Sequence, residues 1–264
     1  MPDIQTAKKQ TINTPPDSFV ISTDLPKGFL EFYKPLHEKY FAWQQNIRAN
    51  RKAALKDSLN GNLPQHLPVT DINFTDWKIN LPSWITDQRN QMTGPADDGA
   101  LVVKMLNSGA PGVMIDLEDS MANSWSNLLI GYKNVRKALY GDLSYHDEKK
   151  DTVVSIKPSN TVVFTRLRGL HMHQAGILED SLTSASLFDA AMLAYKIDFA
   201  KLKHPLCFYL PKTESAEEAK FWASLFKDLA IYKEVDTDYI KCMALIESHP
   251  IAYQIEEFIY HLKD

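Results

Sequence analysis

The stretch GVMIDLED, residues 112–119, runs through Val113, Met114 and Ile115 without a polar interruption and then closes on Asp116, Glu118 and Asp119. A run that lacks polar alternation reads as a strand covered on both faces, as in a parallel sheet. The residues ahead of it, ALVVKMLNSGA (100–110), have helical spacing and a stop at Gly109. Downstream the unit recurs. TVVFTRLRG (161–169), LCFYLPKTES (206–215) and KCMALIES (241–248) are apolar runs that end in charge, and SLFDAAMLAYKIDFAKL (186–202) and SAEEAKFWASLFKDLAIY (215–232) are the amphipathic helices between them. Ser215, with Glu218 three residues on, has the spacing of a capping box, and Pro250 suits the first turn of a last helix. LSYHDEKKDTVVSIK (143–157) reads as a β-hairpin with a charged turn.

Strands that alternate with helices and carry no glycine-rich dinucleotide fingerprint predict an α/β fold, a (β/α)8 TIM barrel rather than a Rossmann sheet. Pattern alone also fits an open sheet. Roughly four or five strands are counted where a closed barrel needs eight, so the barrel is expected to be incomplete. Residues 28–60 begin with apolar residues at helical spacing and turn basic around Arg48, Arg51 and Lys52, and GNLPQHLPVTD (61–71) reads as a loop. The expected division is an N-terminal helical segment and linker over 1–86, then the first part of the barrel over 87–264.

The composition narrows the class. With 44% hydrophobic residues and a net charge of -4 spread over both signs, the chain is a globular one without the basic stripe of a nucleic-acid binder. The polar opening MPDIQTAKKQ and the lack of any window near ~18 apolar residues predict neither signal peptide nor membrane span, hence a cytoplasmic protein. Cys207 and Cys242 sit in the apolar runs LCFYL and KCMALI and read as reduced core residues.

In a parallel barrel the C-terminal strand ends converge on one mouth, where such folds place chemistry. That would gather Asp116, Glu118, Asp119, Arg166, Arg168, Lys212 and Glu247. Clustered carboxylates repel one another and need arginines or a divalent cation, and hard oxygen ligands suit Mg²⁺. Several residues also have structural readings: a turn for Asp119 and Ser120, an ion pair for Arg168, a partner for Glu214 or a mouth acid for Lys212. His171 and His173, two apart in a loop, read as locally hydrogen-bonded rather than as a metal pair.

Taken together, DWKINLPSWITDQRNQMTGPADDGALVVKMLNSGA, VMIDLEDSMANSW, FTRLRGLHMH, FYLPKTES and KCMALIESHP resemble, in this order and spacing, bacterial malate synthase of the shorter, A-type form, from about residue 28 onward. The resemblance implies a helical segment leading into a (β/α)8 barrel. It also implies an Mg²⁺-dependent enzyme that condenses acetyl-CoA with glyoxylate in the glyoxylate bypass. Arg166 would be the catalytic arginine that contacts glyoxylate and the acetyl-CoA enolate, Glu247 the first Mg²⁺ ligand, and Asp116 and Glu118 acids lining the substrate pocket. It assigns a second metal-binding aspartate and the catalytic base to positions beyond Asp264. The stretch MTGPADDG departs from the usual pattern by placing both Asp97 and Asp98 there. The chain is thus expected to be a malate synthase fragment that self-associates or pairs with a complementing C-terminal chain. The alternatives are a related citrate-lyase β-subunit type of carbon–carbon lyase and a non-catalytic half-barrel binding protein.

Overall fold

The computed structural model describes residues 13–264. The polar opening over residues 1–10 therefore lies outside the described residues. A single helical turn, α1 (Ile21–Asp24), precedes the long helix α2 (Phe29–Leu59), and a stretch with one short 3₁₀ turn at Asp71–Asn73 leads to the first strand. Then follow β1 (Gln91–Pro95), α3 (Gly99–Leu106), β2 (Gly112–Asp116) and α4 (Trp125–Tyr140). A hairpin of β3 (Ser144–Asp147) and β4 (Thr152–Ser155) comes next, with β5 (Val162–Arg166) and a two-residue pair, β6 (His173–Gln174) and β7 (Thr183–Ser184). The chain continues through α5 (Ala185–Lys196), β8 (Leu206–Leu210), α6 (Ala216–Tyr232), β9 (Ile240–Ala244) and α7 (Ile255–His261).

Five strands form one sheet in the order β1-β2-β5-β8-β9, and every pair in it is parallel. Among the described residues the sheet does not close, so β1 and β9 are its edges. One face is covered by helices: Val113 and Ile115 of β2, Val163 of β5 and Phe208 of β8 join Val103, Val135, Leu193 and Leu229 in the main core. The other face carries the alternate residues Val162, Phe164 and Cys207, packed with Trp84, Tyr209 and Met243. The alternation of a strand sends Asp116 and Arg166 to this second face. Gly131 lets α4 close on the end of β2, because a Cβ there would meet Leu117 at 2.9 Å and Ala96 at 3.0 Å.

Helix α2 lies outside the barrel helices and binds them through aromatics. Phe29 and Tyr33 pack edge-on to Phe188 of α5 at 5.7 and 5.6 Å, and Tyr40 packs edge-on to Phe221 of α6 at 5.4 Å. Phe188 also meets Trp125 and Tyr132 of α4, so one fully buried ring joins three helices.

Three local expectations are corrected. The helix read over 186–202 stops at Lys196, because Ile197 is extended and the Asp198 side chain caps a separate 3₁₀ turn at Phe199–Lys201. Ser215 makes no side-chain cap; the capping box fails because Glu218 turns instead to the Glu214 N–H and to Arg51. The segment that begins at Pro250 is a 3₁₀ turn before α7 starts at Ile255.

Removing the Phe188 ring leaves a cavity where α2, α4 and α5 meet. Phe188→Ala is expected to destabilise the fold by about 3–5 kcal/mol, whereas Phe74→Ala, at a ring 81% exposed, changes it by about 0.5 kcal/mol or less. Urea denaturation of both variants measures the difference.

Candidate active site

The register of the sheet sets the site. Asp116, the last residue of β2, lies directly beside Arg166, the last of β5, and Arg166 lies beside Tyr209 of β8. The guanidinium grips the carboxylate with two bonds, Nε to Oδ1 at 2.7 Å and Nη2 to Oδ2 at 2.6 Å. Asp116 also accepts the Glu118 N–H at 2.8 Å and the Ser120 N–H and hydroxyl at 3.0 and 2.6 Å. Burial, the largest influence on this carboxyl, works to raise its pKa, but Arg166, Ser120 and the Glu118 amide outweigh it and hold the group below the usual carboxylate range. Asp116 is therefore a fixed anion that orients Arg166.

Glu118 turns inward beside the pair. Its Oε1 accepts the Gly169 N–H at 3.0 Å. A Cβ at 169 would come within 2.6 Å of the His171 ring and 2.8 Å of that same oxygen, so any larger residue there would displace one of these side chains. Glu118 Oε2 is buried with no hydrogen bond; it lies 2.9 Å from Lys212 Nζ, out of bonding alignment, and 3.8 Å from Arg166 Nε. Burial pushes the Glu118 carboxyl up, and Lys212 only partly offsets it. Asp119 is exposed and bridges the two cations, 3.3 Å from Arg166 Nη2 and 2.9 Å from Lys212 Nζ. No bond engages Arg166 Nη1 among the described residues, so its two N–H donors are available.

Glu247 follows β9 and is exposed; its Oε1 accepts the Lys212 N–H at 2.7 Å, and its Oε2 has no partner among the described residues. The loops after β8 and β9 are stitched together by the Thr213 hydroxyl on Leu245 O and by the Ser248 hydroxyl on Thr213 O at 2.8 Å. Among the described residues no group of three or more His, Cys, Asp or Glu is arranged to hold a metal ion.

Arg168 stands apart from this mouth. It is 1% exposed and holds Asp189 of α5 through Nε and Nη2, the latter at 2.6 Å, while Tyr132 donates to the same carboxylate at 2.5 Å. This is an internal brace behind β5. His173 lies against Arg48 and Gln45, and the His171 carbonyl accepts from Arg48, so the two histidines are drawn to α2. Asp98 caps α3 by accepting the Leu101 N–H at 2.8 Å. The sequence marks Arg51 only as part of the basic stretch of α2, yet it reaches the Lys212 carbonyl at 2.8 Å; a contact across 161 positions leaves no local signal.

The raised Glu118 carboxyl gives a signed pH prediction. A folded state that holds a carboxyl above its ordinary value loses stability as pH rises from the unfolded pKa to the folded one. Glu118→Gln removes that cost. Its melting temperature is expected to match the parent's below pH ~4.5 and to exceed it at pH 7, a trend that thermal scans across this range measure.

A sequence model of the family described as "Malate synthase, TIM barrel domain" matches residues 162–264. Malate synthase A of Escherichia coli K12 is 32% identical over 241 residues, which cover 89% of this chain and 45% of that protein. The malate synthase of Arabidopsis thaliana is 29% identical over 248 residues, and the glyoxysomal malate synthase of Glycine max 30% over 248, each covering 91% of this chain and 44% of the relative. The chain thus spans about half the length of the curated relatives it matches. With five parallel strands whose charged ends meet at one mouth, the chain is similar to malate synthases over about nine tenths of its own length.

Proposed function

We propose that this mouth serves the malate synthase reaction, in which acetyl-CoA condenses with glyoxylate and the resulting thioester is hydrolysed to malate and CoA. The observation that carries the reading is Arg166, fixed on one side by Asp116 with Nη1 left unengaged at the strand ends. The reaction builds negative charge twice, on the thioester oxygen as the acetyl methyl loses a proton and on the aldehyde oxygen as the carbon–carbon bond forms. A preorganised cation aimed at that oxygen stabilises the transition state without reorganising at the moment of reaction. Asp116 supplies the preorganisation and Arg166 the donors. Asp116 and Glu118 line the substrate pocket.

The donor chemistry fits a hard divalent cation. Glu247 presents an exposed carboxylate with one oxygen unpartnered, whereas the buried Glu118 Oε2 is ion-paired with Lys212 Nζ at 2.9 Å. Mg²⁺ commonly takes one or two carboxylates and fills its other positions with water and substrate oxygens. Glu247 would hold it. Bound there, Mg²⁺ supplies the Lewis acidity that polarises an aldehyde. No helix among the described residues is long and apolar enough to cross a membrane; the cytoplasm is the proposed location, although several plant relatives are named glyoxysomal.

Release of CoA tests the reading, followed with Mg²⁺, glyoxylate and acetyl-CoA for residues 1–264 alone and mixed with a chain that supplies the remaining part of a malate synthase. Turnover is expected only in the mixture. There Arg166→Lys lowers it roughly 10²-fold, because a point charge replaces a planar fork, and Glu247→Gln weakens the dependence on Mg²⁺ strongly. Unchanged turnover in Arg166→Lys would contradict the assignment of that residue, and overlaying Mg²⁺ titrations would remove Glu247 from the metal site.

A further inference from the structure

The turn after β8 holds Lys212 in the left-handed region, at φ 52°. A residue with a Cβ stays there only where its surroundings hold it. Here both of its main-chain polar groups are taken by side chains remote in sequence. Its N–H donates to Glu247 Oε1 at 2.7 Å, and its carbonyl accepts from Arg51 Nη2 at 2.8 Å. Its ammonium meanwhile sits 2.9 Å from Glu118 Oε2 and from Asp119 Oδ2. Arg51 is itself immobilised. It forks onto Glu218 with bonds of 2.8 and 2.7 Å, and Glu218 is fully buried and accepts the Glu214 N–H as well.

We propose that Lys212 is a positioning residue for Glu247, and that Arg51, on the helix outside the barrel, holds Lys212 in the conformation that aims its N–H at that carboxylate. The inference rests on the reading of Glu247 as a metal ligand. A ligating carboxylate is oriented by the hydrogen bond on its other oxygen, and loss of such support typically weakens metal binding about 10-fold or more. With the carbonyl tether gone, Lys212 relaxes toward negative φ, which turns its N–H away from Glu247. Arg51 meets the Lys212 turn through a peptide group, its Nη2 on the Lys212 carbonyl.

The opposing account is that Arg51 and Glu218 only clamp α2 to α6. A double variant, Arg51→Met with Glu218→Gln, removes both buried charges together, so neither is left unpaired. Two readouts on residues 1–264 separate the accounts: hydrogen exchange at the Lys212 amide, and Mn²⁺ affinity from the electron paramagnetic resonance of the free ion. The double variant is expected to exchange the Lys212 amide about 10-fold faster and to bind Mn²⁺ about 10-fold more weakly. Lys212→Gly provides the control, because glycine adopts positive φ without a tether. Adding the double variant to Lys212→Gly should change the Mn²⁺ affinity by less than about threefold, the non-additivity of a coupled pair. A lower melting temperature with unchanged Mn²⁺ affinity would make Arg51 a structural clamp and overturn the proposal. Equal Mn²⁺ affinity in the parent and Glu247→Gln would instead overturn the metal reading, and the proposal with it.

Discussion

The bidentate bond between Arg166 and Asp116 is the constraint on which the mouth depends. A carboxylate buried as deeply as Asp116 is costly unless it is paired and hydrogen-bonded. Parallel register meets that need by ending β2 and β5 on opposite charges at adjacent positions. Once the pair forms, Nε and Nη2 are committed and Nη1 is the arginine's remaining donor nitrogen. Glu118 and Asp119 then face Lys212 from the same loop, so three acids and two cations interlock across the ends of three strands. The role proposed for the site rests on an ion pair that the fold must satisfy in any case.

The mouth is braced from two sides. Behind β5, Arg168 and Asp189 tie the strand end to α5, and the Ser186 hydroxyl donates to the Arg168 carbonyl at 2.5 Å. From outside, α2 presents Gln44, Arg48 and Arg51 along one side, and each donates to a loop carbonyl: Leu170, His171 and Lys212 respectively. These residues are separated by four and three positions, the spacing that places side chains on one face of a helix. The N-terminal helix thus secures the loops after β5 and β8, and its aromatic seam with α5 and α6 keeps it in register with them.

Much of this was legible in the amino-acid sequence. Buried parallel strands are continuous apolar runs, so β2, β5, β8 and β9 announce themselves, and the charges at their ends mark one mouth. Strand β1 gave no such sign: QMTGP holds one large apolar residue, and as an edge strand it buries little. The spacing of a capping box at Ser215 is used otherwise by the chain, because the fully buried Glu218 takes the two-bond grip of Arg51 instead of the helix end. The reach of Arg51 to the Lys212 carbonyl and the left-handed backbone of Lys212 were invisible for a different reason. Neither a contact between elements far apart in sequence nor a strained backbone at a residue other than glycine leaves a mark in local pattern.

The central claim is that Arg166, held by Asp116, receives the developing oxyanion while Glu247 holds the cation. Crystals of residues 1–264 soaked with Mn²⁺ and glyoxylate test it directly through anomalous scattering. The account predicts a Mn²⁺ peak on Glu247 and a glyoxylate oxygen within hydrogen-bonding reach of Arg166 Nη1. Mn²⁺ bound by Asp119 and Glu118 in place of Lys212, with glyoxylate away from Arg166, would contradict it.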